Sequence, residues 1–382
     1  MSSRHCRAAL VVASPLIAAA MVAGCGSAPA ASTTPAVPAA PPPLATSFAD
    51  GTGPGWAIVE MGGSAAEENN FWEMFTRQAS SAAWRLATPL GVADNGGLVA
   101  TGTGGESLLT GFLPSQDLTF SPLAASANSG ASWSSASPVN AGLAAVPDAL
   151  AAGPGGDLIA LTSGGAELGQ PLGASWTRLS SSRALAATPA GKSCGVAGLT
   201  AVAFGTAGVP MLAASCGHPG VVGIFADSDG RWEPAGPAVP AALARENIEV
   251  LRLAAVSAGL VALLRAGTGP AASVVAAWYD AGKWTVSAPL RAPAVRSTAI
   301  GPGGSVGIIL NATRAATLAG PGGSWHALPA LPKWAATLAL GPSGQANAIA
   351  AHGGTFTDWR LATTGWSRVQ TINVTIPYGS SS

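Results

Sequence analysis

The sequence predicts an all-β chain, and three observations predict it. A tryptophan that opens a short strand returns seven times, at Trp84, Trp133, Trp176, Trp232, Trp284, Trp325 and Trp366, at intervals of 41 to 56 residues. Between consecutive tryptophans lie two short apolar runs split by a Gly/Pro turn, as at Gly153-Pro154-Gly155-Gly156, Gly301-Pro302-Gly303-Gly304 and Gly341-Pro342-Ser343-Gly344. Helical spacing of apolar residues is scarce, the one short stretch being 240–249. Several short strands inside a repeat of this period make four-stranded propeller blades. The expected fold is therefore a seven-bladed β-propeller, with six blades and irregular ends as the alternative.

The first segment is a targeting signal and not part of that fold. Arg4, His5 and Arg7 are basic, and residues 8–23 form an apolar run too short and Ala-rich for a membrane span. The run ends in Val22-Ala23-Gly24-Cys25, which resembles the lipobox of bacterial lipoproteins, with an ordinary secretory signal and a chance Cys as the alternative. That resemblance implies cleavage after residue 24 and a diacylglycerol on the Cys25 thiol. The anchored chain would then sit on the outer face of the cell membrane. Residues 25–52 continue as Ala, Pro, Ser and Thr around Pro41-Pro42-Pro43, a composition that buries too little to fold and reads as a semi-extended tether.

The propeller is expected over 53–378, followed by a disordered tail, 379–382. Within each blade the small-residue run is the innermost strand, because strands crowd around one axis where Ala and Gly permit close approach. The tryptophan strand lies outermost, where wedge-shaped gaps between sheets need a bulky filler. A fully buried Trp replaced by Ala would cost about 3–5 kcal/mol. The blade holding Trp84 has candidate strands at 56–61 and 71–77 but lacks an inner one. The leftover run Thr371-Ile372-Asn373-Val374-Thr375-Ile376 is expected to pair with the Trp56 strand and close the ring, hiding two sheet edges.

Of the four cysteines, the lipobox resemblance implies that Cys6 leaves with the signal and Cys25 carries lipid. Cys194 and Cys216 remain, bracketing two apolar runs joined by a Gly-rich turn. A hairpin would bring them together across its open end, so a disulfide is expected in an exported protein, with two free buried thiols as the alternative.

The turns before the tryptophans resemble the Asp-box of sialidase-like propellers. Ser126-Ala127-Asn128-Ser129-Gly130-Ala131-Ser132-Trp133 follows the pattern with Asn in place of Asp, and Asp229-Gly230-Arg231-Trp232 and Asp280-Ala281-Gly282-Lys283-Trp284 are shortened versions. The resemblance implies a propeller and not a reaction. Sialidases use three arginines, a Tyr–Glu pair and an acidic Asp, but this chain has two tyrosines, Tyr279 and Tyr378, and no Arg-Ile-Pro signature.

Other chemistry is scarce. His218, His326 and His352 lack metal-ligand spacing and read as lone turn histidines, so no metal and no cofactor are expected. Lys+Arg and Asp+Glu are balanced at 18 each, which argues against a nucleic-acid partner. The densest polar clusters, Glu67-Glu68 and Arg245-Glu246, are the candidate surface contacts. These features point to a monomeric, non-catalytic, membrane-anchored propeller that binds or scaffolds envelope proteins or glycans. The alternative is a sialidase-like glycoside hydrolase or lyase, recognisable by carboxylates converging at one mouth of the channel.

Overall fold

The computed structural model describes residues 46–375 apart from 50–54, 63–69, 79–80, 82, 91–97, 105–106, 113–121, 136–142, 144, 171–174, 258 and 342–343. The described residues form seven antiparallel sheets in chain order. The first holds β1 (Thr46–Ala49), β2 (Gly55–Gly62), β3 (Asn70–Arg77) and β4 (Trp84–Leu86). The second holds β5 (Leu98–Gly104), β6 (Ser107–Phe112), β7 (Leu123–Ser126) and β8 (Ser134–Ser135). The third is β9 (Pro147–Ala152), β10 (Leu158–Thr162), β11 (Gly165–Gly169) and β12 (Trp176–Ser180). The fourth is β13 (Val196–Phe204), β14 (Pro210–Cys216), β15 (Gly223–Ser228) and β16 (Arg231–Pro234).

The fifth sheet comprises β17 (Ile248–Val256), β18 (Gly259–Ala266), β19 (Ser273–Asp280) and β20 (Lys283–Val286), with β21 (Leu290–Arg291) also pairing β19. The sixth comprises β22 (Ser297–Ile300), β23 (Val306–Ile309), β24 (Ala315–Leu318) and β25 (His326–Ala327). The seventh comprises β26 (Ala335–Leu340), β27 (Ala346–His352), β28 (Thr355–Ala362) and β29 (Gly365–Asn373).

The Gly/Pro turns close the hairpins between first and second strands. Gly153 N–H donates to Asp157 O, Gly301 N–H to Ser305 O and Gly341 N–H to Gln345 O, each at 2.8 Å. Gly304 takes φ +86° in its turn, a conformation that favours glycine. First strands of neighbouring sheets lie side by side, β9 with β13, β13 with β17 and β22 with β26. Apolar clusters fill the gaps between successive sheets, for example Leu199, Phe204 and Phe225 of the fourth against Ile159 and Leu161 of the third. Another joins the two ends of the series, placing Ala57, Phe75 and Trp84 of the first sheet against Ile349 and Phe356 of the seventh.

The repeat tryptophans stand at the fourth strands, as the period predicts, but they do more than fill space. Each of four donates its indole N–H to a carbonyl just past the fourth strand of the preceding sheet. Trp133 reaches Ala87 O at 2.8 Å, Trp284 reaches Ala235 O at 2.7 Å, Trp325 reaches Ala288 O at 3.0 Å and Trp366 reaches Pro329 O at 3.4 Å. Only Trp84 among the seven is buried, at 2% exposure; the others are half-buried, so the full cost of losing a buried indole applies to Trp84 alone.

The junction of first and seventh sheets corrects the expected closure. Thr371–Asn373 do not pair with β2; they continue β29 and pair with Thr355–Thr357 of β28. The strand beside β2 is β1, with Thr46 opposite Ile58 and Ala49 opposite Gly55, inside the segment read as tether. The physical reason is local. No Gly, Pro or Asn falls between Trp366 and Ile372 to turn the chain, so the β-branched run extends the tryptophan strand. Ile372 and Val374 pack against the apolar cluster that the first and seventh sheets share.

The junction is polar and well satisfied. Gln370 holds the Trp84 backbone from both sides, accepting from Trp84 N–H at 2.7 Å and donating to Trp84 O at 2.9 Å. The Trp84 indole donates to Asp358 Oδ2 at 3.0 Å, and Asn347 Nδ2 donates to Asp358 Oδ1 at 2.7 Å. Arg77 lies over the Trp84 ring, 5.1 Å from its centroid, and Phe75 stacks on Phe356. Burial raises the Asp358 pKa, although the bonds from Asn347 and Trp84 and the charges of Arg77 and Arg360 oppose it.

Two short helices interrupt the β pattern, α1 (Ser182–Ala187) and α2 (Pro189–Cys194). Ser181 and Thr188 cap them through side-chain oxygens, Pro189 opens α2, and Gly195 ends it in a left-handed conformation. A disulfide joins Cys194 to Cys216, fixing this helical pair to the end of β14. Residues 240–249, the stretch with helical spacing, hold one 3-10 turn at Ala241–Leu243 before β17 begins. Among the described residues no helix is long and apolar enough to cross a membrane.

Candidate functional site

An open cleft of about 640 Å3 lies where the segment entering β26 meets the hairpin of β27 and β28. One wall is Ala330, Pro332, Lys333 and Trp334; the other is Ala350, His352, Thr355, Thr357 and Trp359, with Trp366 beside them. The register explains the second wall. Ala350 stands opposite Thr357 and His352 opposite Thr355, so these side chains share one face of the sheet. Alanine on β27 leaves the room that the aromatic rings border.

Trp334 is the unusual residue. Its backbone takes φ +68°, a conformation strained for a bulky side chain. The surrounding bonds impose it: Ala335 N–H donates to Pro332 O at 3.2 Å, and Ala351 N–H donates to Trp334 O at 3.2 Å. The indole is 49% exposed and lies parallel to the His352 ring, with centroids 3.8 Å apart and planes 4° apart. The Lys333 ammonium sits 4.7 Å from the indole centroid. A flat ring is thus fixed at the mouth before any ligand arrives. The described lining holds aromatic rings, hydroxyls and one cation, and no carboxylate.

The residues singled out from sequence lie elsewhere. Glu67 and Glu68 fall outside the described residues. Arg245 and Glu246 are exposed in the turn before β17; Glu246 donates its N–H to Leu243 O and accepts at its carbonyl from Gly220 N–H. They do not line the cleft. His218 donates its Nδ1–H to Ser193 O, 2.9 Å away beside the disulfide. His352, read as a lone turn histidine, does sit at a turn, but it has the Trp334 ring as partner. Trp334 lies outside the set of seven tryptophans in phase with the repeat. Its signal is to be out of phase, nine residues after Trp325 and just behind Pro332-Lys333.

The turn before Trp133 is capped by its own side chains. Asn128 Oδ1 accepts from Ser132 N–H at 2.9 Å, Ser126 Oγ accepts from Gly130 N–H at 2.7 Å, and Gly130 takes φ +76°. A Cβ on Gly130 would meet Ala87 Cβ at 2.9 Å, so this turn seats directly on the first sheet.

The GH74 xyloglucanase from Xanthomonas campestris matches 85% of this chain at 16% identity with a TM-score of 0.52; the chain spans about half, 53%, of that enzyme. YCF48 bound to D1 peptide matches 88% of this chain and 95% of its own at 13% identity and TM-score 0.44. The six-bladed fucose-recognising lectin from Aleuria aurantia matches 88% and 96% at 12% identity and TM-score 0.41. The likeness is to β-propellers. At such identities it concerns the fold alone. No protein-family model and no curated protein sequence matches the chain.

Proposed function

We propose that the chain is a seven-bladed propeller, exported and lipid-anchored at Cys25, that binds glycan through the Trp334 cleft without transforming it. The blade count is supported by the seven sheets and by the cluster that packs the last against the first. The anchor is supported by the lipobox-like Val22-Ala23-Gly24-Cys25 and the exported character of the disulfide.

The observation that carries the binding reading is Trp334, an exposed indole held in a strained backbone beside a cleft of ligand size. Sugar rings present flat patches of C–H next to hydroxyls. An aromatic plane covers the former, and Thr355, Thr357 and Lys333 offer partners to the latter. Immobilising the ring beforehand lowers the ordering cost of binding. A glycosidase would want two carboxylates facing the bond to be cleaved, so the lining favours retention over hydrolysis.

The test is retention of the soluble domain, residues 26–382, on a glycan array and on insoluble cell-wall polysaccharide. Trp334→Ala is expected to lower retention about tenfold, the loss of roughly 1.4 kcal/mol. Trp334→Gly should do the same while relieving backbone strain, which separates binding from folding. Equal retention of both variants and the parent would overturn the cleft assignment; release of reducing sugar would overturn the non-catalytic reading.

A further inference from the structure

The first strands of the sheets carry mostly small and aliphatic residues where they meet, yet one cation stands among them. Arg252 lies on β17, just past a bulge that opposes Val250 to Leu264 and Arg252 to Leu263. The extra residue, Leu251, packs between the fifth and sixth sheets. Arg252 reaches across to the first strand of the sixth sheet, where its Nε donates to Thr298 Oγ1 at 2.9 Å. Thr298 is itself buried at 1% exposure. On the same strand Ser297 Oγ donates to Thr337 Oγ1 of β26 at 2.9 Å, so hydroxyls run along the wall from the sixth sheet into the seventh.

That single bond uses one donor of the guanidinium. Among the described residues no carboxylate pairs with Arg252, and its two terminal nitrogens carry no hydrogen bond. Protein surrounds the group closely enough that desolvation lowers its pKa from the usual arginine value. Part of the side chain nevertheless remains open to solvent. A charge taken out of bulk water without a counter-charge is costly. A fork of guanidinium donors in such a place matches a planar or tetrahedral oxyanion by two parallel bonds.

We propose that Arg252 anchors an oxyanion-binding site on the wall formed by the first strands of the fifth and sixth sheets. Nε stays committed to Thr298, which fixes the plane of the guanidinium, and the terminal nitrogens take the anion. The ligand class is a small molecule or chain terminus bearing a carboxylate, sulfate or phosphate group. The site is separate from the Trp334 cleft and does not depend on the glycan reading.

The experiment titrates residues 26–382 with acetate, sulfate and inorganic phosphate, each against chloride at equal ionic strength, and reads the melting temperature and the heat of binding. At least one oxyanion is expected to give a saturable rise in melting temperature. Arg252→Met should weaken that response about tenfold or more while leaving the circular dichroism spectrum unchanged, and Arg252→Lys should keep part of it. The anion that binds most tightly tells carboxylate from sulfate and phosphate recognition. A response identical in parent and Arg252→Met, or no saturable response to any of the three, would overturn the proposal. Arg252→Met is expected to fold, because it removes a desolvated charge and keeps the aliphatic stem.

Discussion

Replacing Trp84 by Phe tests the junction of first and last sheets without emptying it. The ring that packs on Phe356 at 5.9 Å is kept in part, whereas the indole N–H to Asp358 Oδ2 is lost. Asp358 is 1% exposed, so the released oxygen has no ready access to water. A buried hydrogen bond to a charged group is worth about 1.5–3 kcal/mol, and the smaller ring adds about 1 kcal/mol of lost packing. The expected loss is therefore roughly 2.5–4 kcal/mol. The control is Trp325→Phe, whose indole donates to Ala288 O at an exposed position where water can replace it. That change should cost about 1 kcal/mol or less. Urea unfolding followed by far-ultraviolet circular dichroism reads both, as a shift of midpoint at unchanged slope. If the two variants lose the same stability, or Trp84→Phe loses none, the junction is not held as described.

Asp358→Asn should reveal the pH dependence of the same junction. Burial raises the Asp358 pKa above 3.8, so its contribution is fully present below that value and is lost as pH rises through the higher folded-state pKa. The stability of the parent relative to Asp358→Asn should thus fall from acid toward neutral pH, measured by urea midpoints across that range; a difference that rises with pH would contradict it. Removing the Cys194–Cys216 bond by a double Ser substitution should cost about 3 kcal/mol, because the bridge spans 22 positions, and the helical pair should become the first site of proteolysis. On the proposed lipid anchoring, Cys25→Ser should move the chain from the membrane fraction to the soluble one; unchanged membrane association would refute that anchoring.

The period of the tryptophans made the fourth strands legible, and the Gly/Pro turns made the hairpins before them legible. Both signals are local. Ser257-Ala258-Gly259 is a local signal of the same kind, with β17 ending at Val256 and β18 beginning at Gly259. What was not legible was partner choice over long distance. Thr371–Asn373 has the composition of a strand in any sheet, and only the absence of a turn before it assigns it to β29. Thr46–Ala49 sits in a stretch whose composition reads as tether, yet four residues suffice to pair with β2. The cleft stayed hidden because it depends on backbone geometry at Trp334, which no composition announces. The caps Ser181 and Thr188-Pro189 are the local signals of α1 and α2.

The indole-to-carbonyl bonds impose a direction on assembly. Each of the four bonds to carbonyls looks back only 37 to 49 residues, so an emerging sheet meets its acceptor already in place. Among the repeat tryptophans whose indole bonds are described, Trp84 looks forward, 274 residues ahead to Asp358. A chain that folds from its amino end is expected to dock module by module and then wait for the last one. Ending it at Gly354, before β28, should leave every earlier fastening intact and the whole molecule unlatched, which protease sensitivity at Trp84 would register.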